Sequence, residues 1–99
     1  MRKLSREFFE KSSVTAAKQL LGKYIVKNHK GRSLAAKIVE TEAYTGTDDP
    51  GSHAYKSITP RNRIMFGPPG FAYVYFCYGN HYLFNIVTEK EGKPGAVLI

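Results

Sequence analysis

The stretch FAYVYFCYGNHYLFNIVT, residues 71–88, constrains the fold more than any other part of the chain. Aromatic and β-branched residues lie on both sides of Gly79 and Asn80, a Gly-X pair suited to a two-residue hairpin turn. The pattern predicts two antiparallel strands with Tyr78 and His81 flanking the tip. A lone hairpin is marginal in water, so these strands need further partners. Residues 24–28 and 33–41 supply two candidates, joined by His29, Lys30, Gly31 and Arg32, a short polar link with a glycine. A later turn through Lys90, Gly92 and Lys93 leads to an apolar strand over residues 96–99.

Helical signals are fewer. Ser13 is placed to cap a helix over residues 14–21, with Val14, Ala17, Leu20 and Leu21 on one stripe and Gly22 as the stop. Thr59 and Pro60 form an N-cap and first-turn pair, which predicts a short helix over residues 61–66 before Gly67, Pro68, Pro69 and Gly70 break it. Residues 45–59 are polar and contain Asp48, Asp49, Pro50, Gly51 and Ser52 in a row, the mark of a long loop. With 99 residues, one small domain is expected and two independent cores are not. The expected class is α+β: a curved, mostly antiparallel sheet forming a partial open barrel, with short helices and a protruding β-hairpin.

Charge and aromatic content narrow the partner. Lys and Arg number 15 against 8 Asp and Glu, a formal charge of +7, which favours a polyanion. Seven Tyr and six Phe with no Trp lean the reading towards nucleobases, because Tyr offers a stacking face and a polar edge. The single cysteine, Cys77, excludes an intramolecular disulfide and a multi-cysteine zinc site, and fits a reducing compartment. The N-terminal stretch reads as neither a signal peptide nor a membrane span, so a cytosolic protein without a membrane partner is expected.

Several residues could carry chemistry. Glu40 and Glu42 lie two apart where a strand gives way to the long loop, with Glu42 at the strand's end. A sheet end is a rigid place for a general base, yet the pair also reads as solvated charge facing a basic surface. His53 sits in the loop without a second histidine or cysteine at ligand spacing, and no metal is inferred. Tyr73, Tyr75, Phe76 and Tyr78 fall within six residues; core packing accounts for Val74 and Phe76, whereas Tyr78 at a tip suits insertion between stacked bases. Lys56, Arg61 and Arg63 could follow phosphates or simply form a solvated basic face.

These blocks converge. LSREFF near the start, IVETEAYTG at residues 38–46, Ser52 and His53, TPRNRIMFGPPG at 59–70 and YVYFCYGNHYLFNIV at 73–87 resemble successive blocks of the alkyladenine (3-methyladenine) DNA glycosylase family. The resemblance implies that Glu42 activates water for attack on the anomeric carbon. It makes Tyr44, His53, Tyr75 and Asn85 the lining of a pocket for an extruded base, with Asn85 crowding the exocyclic amino group of normal guanine. Backbone amides near Gly51 and His53 would read the purine edge. Tyr78 would fill the gap left in the base stack, and Arg61, Arg63 and Lys56 would meet the DNA backbone.

The implied partner is double-stranded DNA containing damaged purines, with no cofactor, and the complete protein would be a monomer. Its place would be the nucleoid of a bacterium or the nucleus of a eukaryote. No lysine matches a Schiff-base nucleophile, so hydrolysis without lyase activity is expected. Domains of that family run to roughly twice this length, and their next block begins with an arginine that helps hold the catalytic water. The expectation is therefore an incomplete domain, the N-terminal half of one glycosylase domain, with a catalytically inactive nucleic-acid-binding fragment as the alternative. Residues 96–99 would then present an apolar strand without cover, favouring marginal folding or self-association.

Overall fold

The computed structural model describes residues 3–46, 49–50, 52, 57–77, 79 and 81–99. Among them the elements are a 3₁₀ turn Arg6–Phe9, helix α1 (Ser13–Leu20), strands β1 (Tyr24–His29), β2 (Arg32–Lys37) and β3 (Glu42–Tyr44), a second 3₁₀ turn Arg63–Phe66, and strands β4 (Ala72–Cys77), β5 (His81–Val87) and β6 (Ala96–Leu98). The α+β class is as expected: β1 and β2 form a two-stranded hairpin, β3-β6-β5-β4 form a second sheet, both are antiparallel, and neither closes into a barrel.

The β1–β2 hairpin turns through Lys30 and Gly31, at φ 48° and 75°, so that His29 pairs with Arg32. Positive φ at both central positions gives the tight turn whose twist matches paired strands, and the glycine adopts it without steric cost. The strand expected over residues 33–41 instead divides. β2 stops at Lys37 where its pairing with Tyr24 ends, Ile38 turns inward to bond Gly22 and Lys23, and Glu42 opens β3 in the other sheet.

Helix α1 also differs in detail. Ser12, not Ser13, is the cap, its hydroxyl accepting from the Thr15 amide at 3.1 Å. The buried stripe is Ser13, Ala16, Ala17 and Leu20, while Val14 and Leu21 are 46% and 48% exposed. The expected stripe is rotated because Ser13 has buried polar partners that outweigh burial of Val14. Its hydroxyl lies 2.9 Å from the Tyr44 carbonyl and 2.8 Å from the Thr88 hydroxyl, and its amide donates to Glu89 Oε2 at 3.2 Å. With Ser13 donating to Tyr44, Thr88 becomes the donor to Ser13. Glu89 sits at positive φ, 69°, its amide directed at the carbonyls of Phe9 and Lys11 and its carboxylate beside the positive end of α1. Gly95 closes the junction: a Cβ there would stand 2.5 Å from Glu89 Cγ and 2.7 Å from Ser13 Oγ.

The four-stranded sheet has a core on each face. Ala16, Ala17 and Leu20 pack with Phe9, Ile38 and Val97 on one side, and Met65, Tyr73, Val87 and Ala96 cluster on the other. Small alanines let the helix approach the sheet closely, and Thr41 ties the strand connection to α1 by donating to the Ala17 carbonyl at 3.0 Å. Residues 96–99 correct the expectation of an uncovered strand, since β6 lies between β3 and β5 with Ala96 and Val97 buried. The exposed apolar face is instead on the β4–β5 hairpin, at Val74, Phe76, Tyr82 and Phe84, which corrects the core packing expected for Val74 and Phe76: their side of the hairpin lies beyond the part of the sheet that α1 covers. The hairpin register pairs Cys77 with His81, which puts three positions, 78–80, between the paired ends instead of two.

Ser13→Ala should lower stability by about 1–3 kcal/mol, because it takes the hydroxyl away from the Tyr44 carbonyl that accepts from it and from the Thr88 hydroxyl that donates to it. Urea unfolding measures this, and a loss below about 0.5 kcal/mol would mean that α1 is docked by packing alone. Gly95→Ala should be at least as damaging, since the added methyl has no room without separating Glu89 from Ser13.

Candidate functional site

The strand register assembles one row across the sheet. Glu42 of β3 faces Leu98 of β6, Leu98 faces Asn85 of β5, and Asn85 faces Tyr73 of β4. Residues directly opposed in antiparallel strands share a face, and positions two apart along a strand share it too. Tyr44 and Tyr75 therefore lie on the same face as Glu42, Asn85 and Tyr73, opposite to the face that receives α1. At about 4.8 Å per strand, the Glu42 and Asn85 backbones are roughly 10 Å apart.

Glu42 is exposed at the start of β3. The Tyr44 hydroxyl donates to its Oε2 at 2.6 Å, a short charge-assisted bond that fixes where the carboxylate points. Glu40 is exposed in the connection before β3, and both carboxylates line a cleft of about 250 Å³ with Tyr82, Leu83 and Leu98. A carboxylate held on a strand at a water-accessible cleft can take a proton from water.

Asn85 is 2% exposed, and its amide nitrogen donates to the carbonyls of Tyr73 and Leu83, each at 3.3 Å. Tyr73 packs edge-on against Tyr75 with ring centres 5.8 Å apart. Burial pushes the Tyr73 hydroxyl up to about 12, the neighbouring Tyr75 adds to this, and Arg61 opposes it.

Arg61 leaves a rigid turn. The Thr59 amide donates to Asn62 Oδ1 at 2.7 Å, the Asn62 amide returns to Thr59 Oγ1 at 3.3 Å, and Asn62 Nδ2 reaches the Ser57 carbonyl at 3.1 Å. This reciprocal lock takes the place of the expected helix over residues 61–66, leaving only the 3₁₀ turn Arg63–Phe66. The Arg61 guanidinium lies 4.0 Å from the Tyr75 ring centre and donates to the Phe76 carbonyl. Arg63 is exposed on the 3₁₀ turn.

Register thus brings together Glu42, Tyr44, Tyr75 and Asn85, whereas His53, Lys56 and Tyr78, with the amides near Gly51, lie outside the described residues. Sequence reading missed Tyr73 as part of this face and the Arg61–Tyr75 contact. The two-residue spacing of Tyr73 and Tyr75 signals the first; nothing in the sequence signals the second.

The profile of the methylpurine-DNA glycosylase family matches residues 7–99. The chain belongs to this family. A protein of Desulfitobacterium hafniense (strain Y51), named "Putative 3-methyladenine DNA glycosylase", is 50% identical over 100 residues, covering 100% of this chain and 49% of its own length. Proteins of the same name from Legionella pneumophila (strain Lens) and Carboxydothermus hydrogenoformans are 52% and 53% identical, with 100% and 97% of this chain and 54% and 50% of their own lengths covered. The chain spans about half the length of these relatives. Among the described residues no helix is long and apolar enough to cross a membrane.

The raised Tyr73 value has a consequence for alkaline stability. A phenol held neutral above its ordinary value of 10.0 contributes stability that is complete below that pH and is lost as pH rises towards about 12. Tyr73→Phe should therefore lessen the fall in unfolding free energy between roughly pH 10 and 12. Equal slopes for parent and variant would place the alkaline sensitivity elsewhere.

Proposed function

We propose that this segment supplies the catalytic carboxylate and much of the base pocket of a DNA repair glycosylase that removes alkylated or deaminated purines from duplex DNA. The observation that carries the reading is the shared sheet face of Glu42, Tyr44, Tyr75 and Asn85. A target nucleotide must leave the duplex to reach such a face, and extrusion costs least where damage has weakened pairing. Tyr44, Tyr75 and His53 line the pocket. Tyrosine faces favour a cationic alkylpurine by about 1 kcal/mol or more once desolvated. Asn85 disfavours the amino group of normal guanine, and backbone amides near Gly51 and His53 read the purine edge. Tyr78 occupies the vacated stack, while Lys56 and Arg63 meet phosphates.

In the reaction, Glu42 accepts a proton from water as its oxygen bonds to the anomeric carbon. The N-glycosidic bond breaks and its electron pair leaves with the purine. One carboxylate suffices for an alkylated purine because a cationic base is a good leaving group, whereas a neutral deaminated purine departs as its anion and takes a proton from solvent; no lysine is required, so the enzyme is a hydrolase without lyase activity and without a cofactor. The protein acts as a monomer where the DNA is, in the nucleoid or nucleus. A second reading, a noncatalytic nucleic-acid-binding module, is favoured by the formal charge of +7, which suits a polyanion whether or not chemistry follows.

Single-turnover excision from a lesion-containing duplex tests both readings, using this chain and a chimera that joins it to the second half of the D. hafniense relative. Glu42→Gln should slow excision by about 10²–10⁴ with affinity kept within severalfold, the usual contribution of a positioned general base. Glu40→Gln, the same charge change two residues away, should leave excision nearly intact. A dead Glu40→Gln, or a fully active Glu42→Gln, would reassign the base. Lesion binding without excision in either parent would favour the noncatalytic reading.

A further inference from the structure

We infer that Arg61 is a positioning residue for the base-stacking Tyr75, and is not a phosphate ligand; the inference rests on the pocket role proposed for Tyr75. Three observations converge on it. The turn that carries Arg61 is locked by the Thr59–Asn62 exchange, with Asn62 buried, so the arginine stem starts from a fixed point. Its guanidinium lies over the Tyr75 ring at 4.0 Å, and its Nη2 donates to the carbonyl of Phe76, the residue that follows. The same charge is close enough to Tyr73 to oppose the rise of its hydroxyl. A planar, weakly hydrated cation suits this position, because it stacks on the ring while its edge bonds a carbonyl. A lysine ammonium offers neither plane nor fork. A phosphate drawn to Arg61 would compete with these two contacts for the orientation of the guanidinium plane. Held where it is, it occupies one face of Tyr75 and fixes the ring's tilt, so that a purine stacks on the opposite face.

The two roles differ in salt dependence and in response to lysine. Affinity for lesion-containing and undamaged duplexes is measured over a salt series with the full chain, for the parent, Arg61→Met, Arg61→Lys and Arg63→Met. A positioning role predicts that both Arg61 variants keep the salt slope and lose preference for the lesion roughly fivefold or more, the size of a weakened base–aromatic stack. A phosphate ligand would instead lower the slope by about 0.9 in Arg61→Met and be rescued by Arg61→Lys, overturning the inference. Arg63→Met calibrates the slope change expected of an exposed cation.

Proton NMR of the protein, alone and with undamaged duplex, separates this inference from the pocket assignment. Ring current from Tyr75 should shift the Arg61 Cδ protons upfield, and Tyr75→Leu should abolish the shift. Adding undamaged duplex should leave it in place. Loss of the shift on adding duplex, or its absence in the parent, would overturn the positioning role. An intact shift and unchanged slopes in a parent that shows no lesion preference would instead sink the pocket assignment while leaving the Arg61–Tyr75 contact standing.

Discussion

Four groups meeting at one buried junction, the side chains of Ser13, Thr88 and Glu89 and the carbonyl of Tyr44, govern where the other elements can lie. Buried hydroxyls and carboxylates are costly unless paired, so their mutual geometry cannot drift. Through them the start of α1 is tied to the end of β5 and to the last residue of β3, segments far apart in sequence. Gly95 lets the chain pass close enough to enter β6, and β6 then joins β3 to β5. Glu42, two residues before the tethered carbonyl, owes its position in the cross-strand row to that join.

Much of this was legible in local chemistry. The two hairpins and the Gly22 stop follow from residue preferences at short range, although the first turn is tighter than the four-residue link expected and the second hairpin's last pair is Cys77 with His81. What failed depended on distant partners. The helix stripe was misplaced because Ser13 counts as polar and outward until Thr88 and Glu89 are brought to it. Local pattern runs a single strand up to Glu42, because nothing local shows that Ile38 turns inward and that the chain then changes sheets. Residues 96–99 looked like an edge because a strand's neighbours cannot be read from its own residues.

The candidate site was legible for a different reason. Period-two alternation assigns residues to faces once the register is known, and the motif blocks indicated which residues should share a face. Glu42, Tyr44, Tyr75 and Asn85 came together on that basis. The arginine over Tyr75 did not, since a long flexible side chain has many places to go. The turn that carries it settles the matter, and that turn is built by Asn62, a residue whose importance shows only when its partners are seen.

Tyr44 belongs to both halves of this arrangement: its carbonyl receives Ser13 at the junction, and its hydroxyl reaches Glu42 at the cleft. The first tie uses the main chain, which every amino acid possesses, and the second uses the side chain alone. A substitution at this position therefore keeps the main-chain acceptor for Ser13 while removing the bond to Glu42, whereas a substitution at Ser13 breaks the junction itself. One residue thus carries two separable ties, one that any amino acid could make and one that needs a phenol, so the carboxylate could be retuned through the side chain while the main-chain tie to the helix stays.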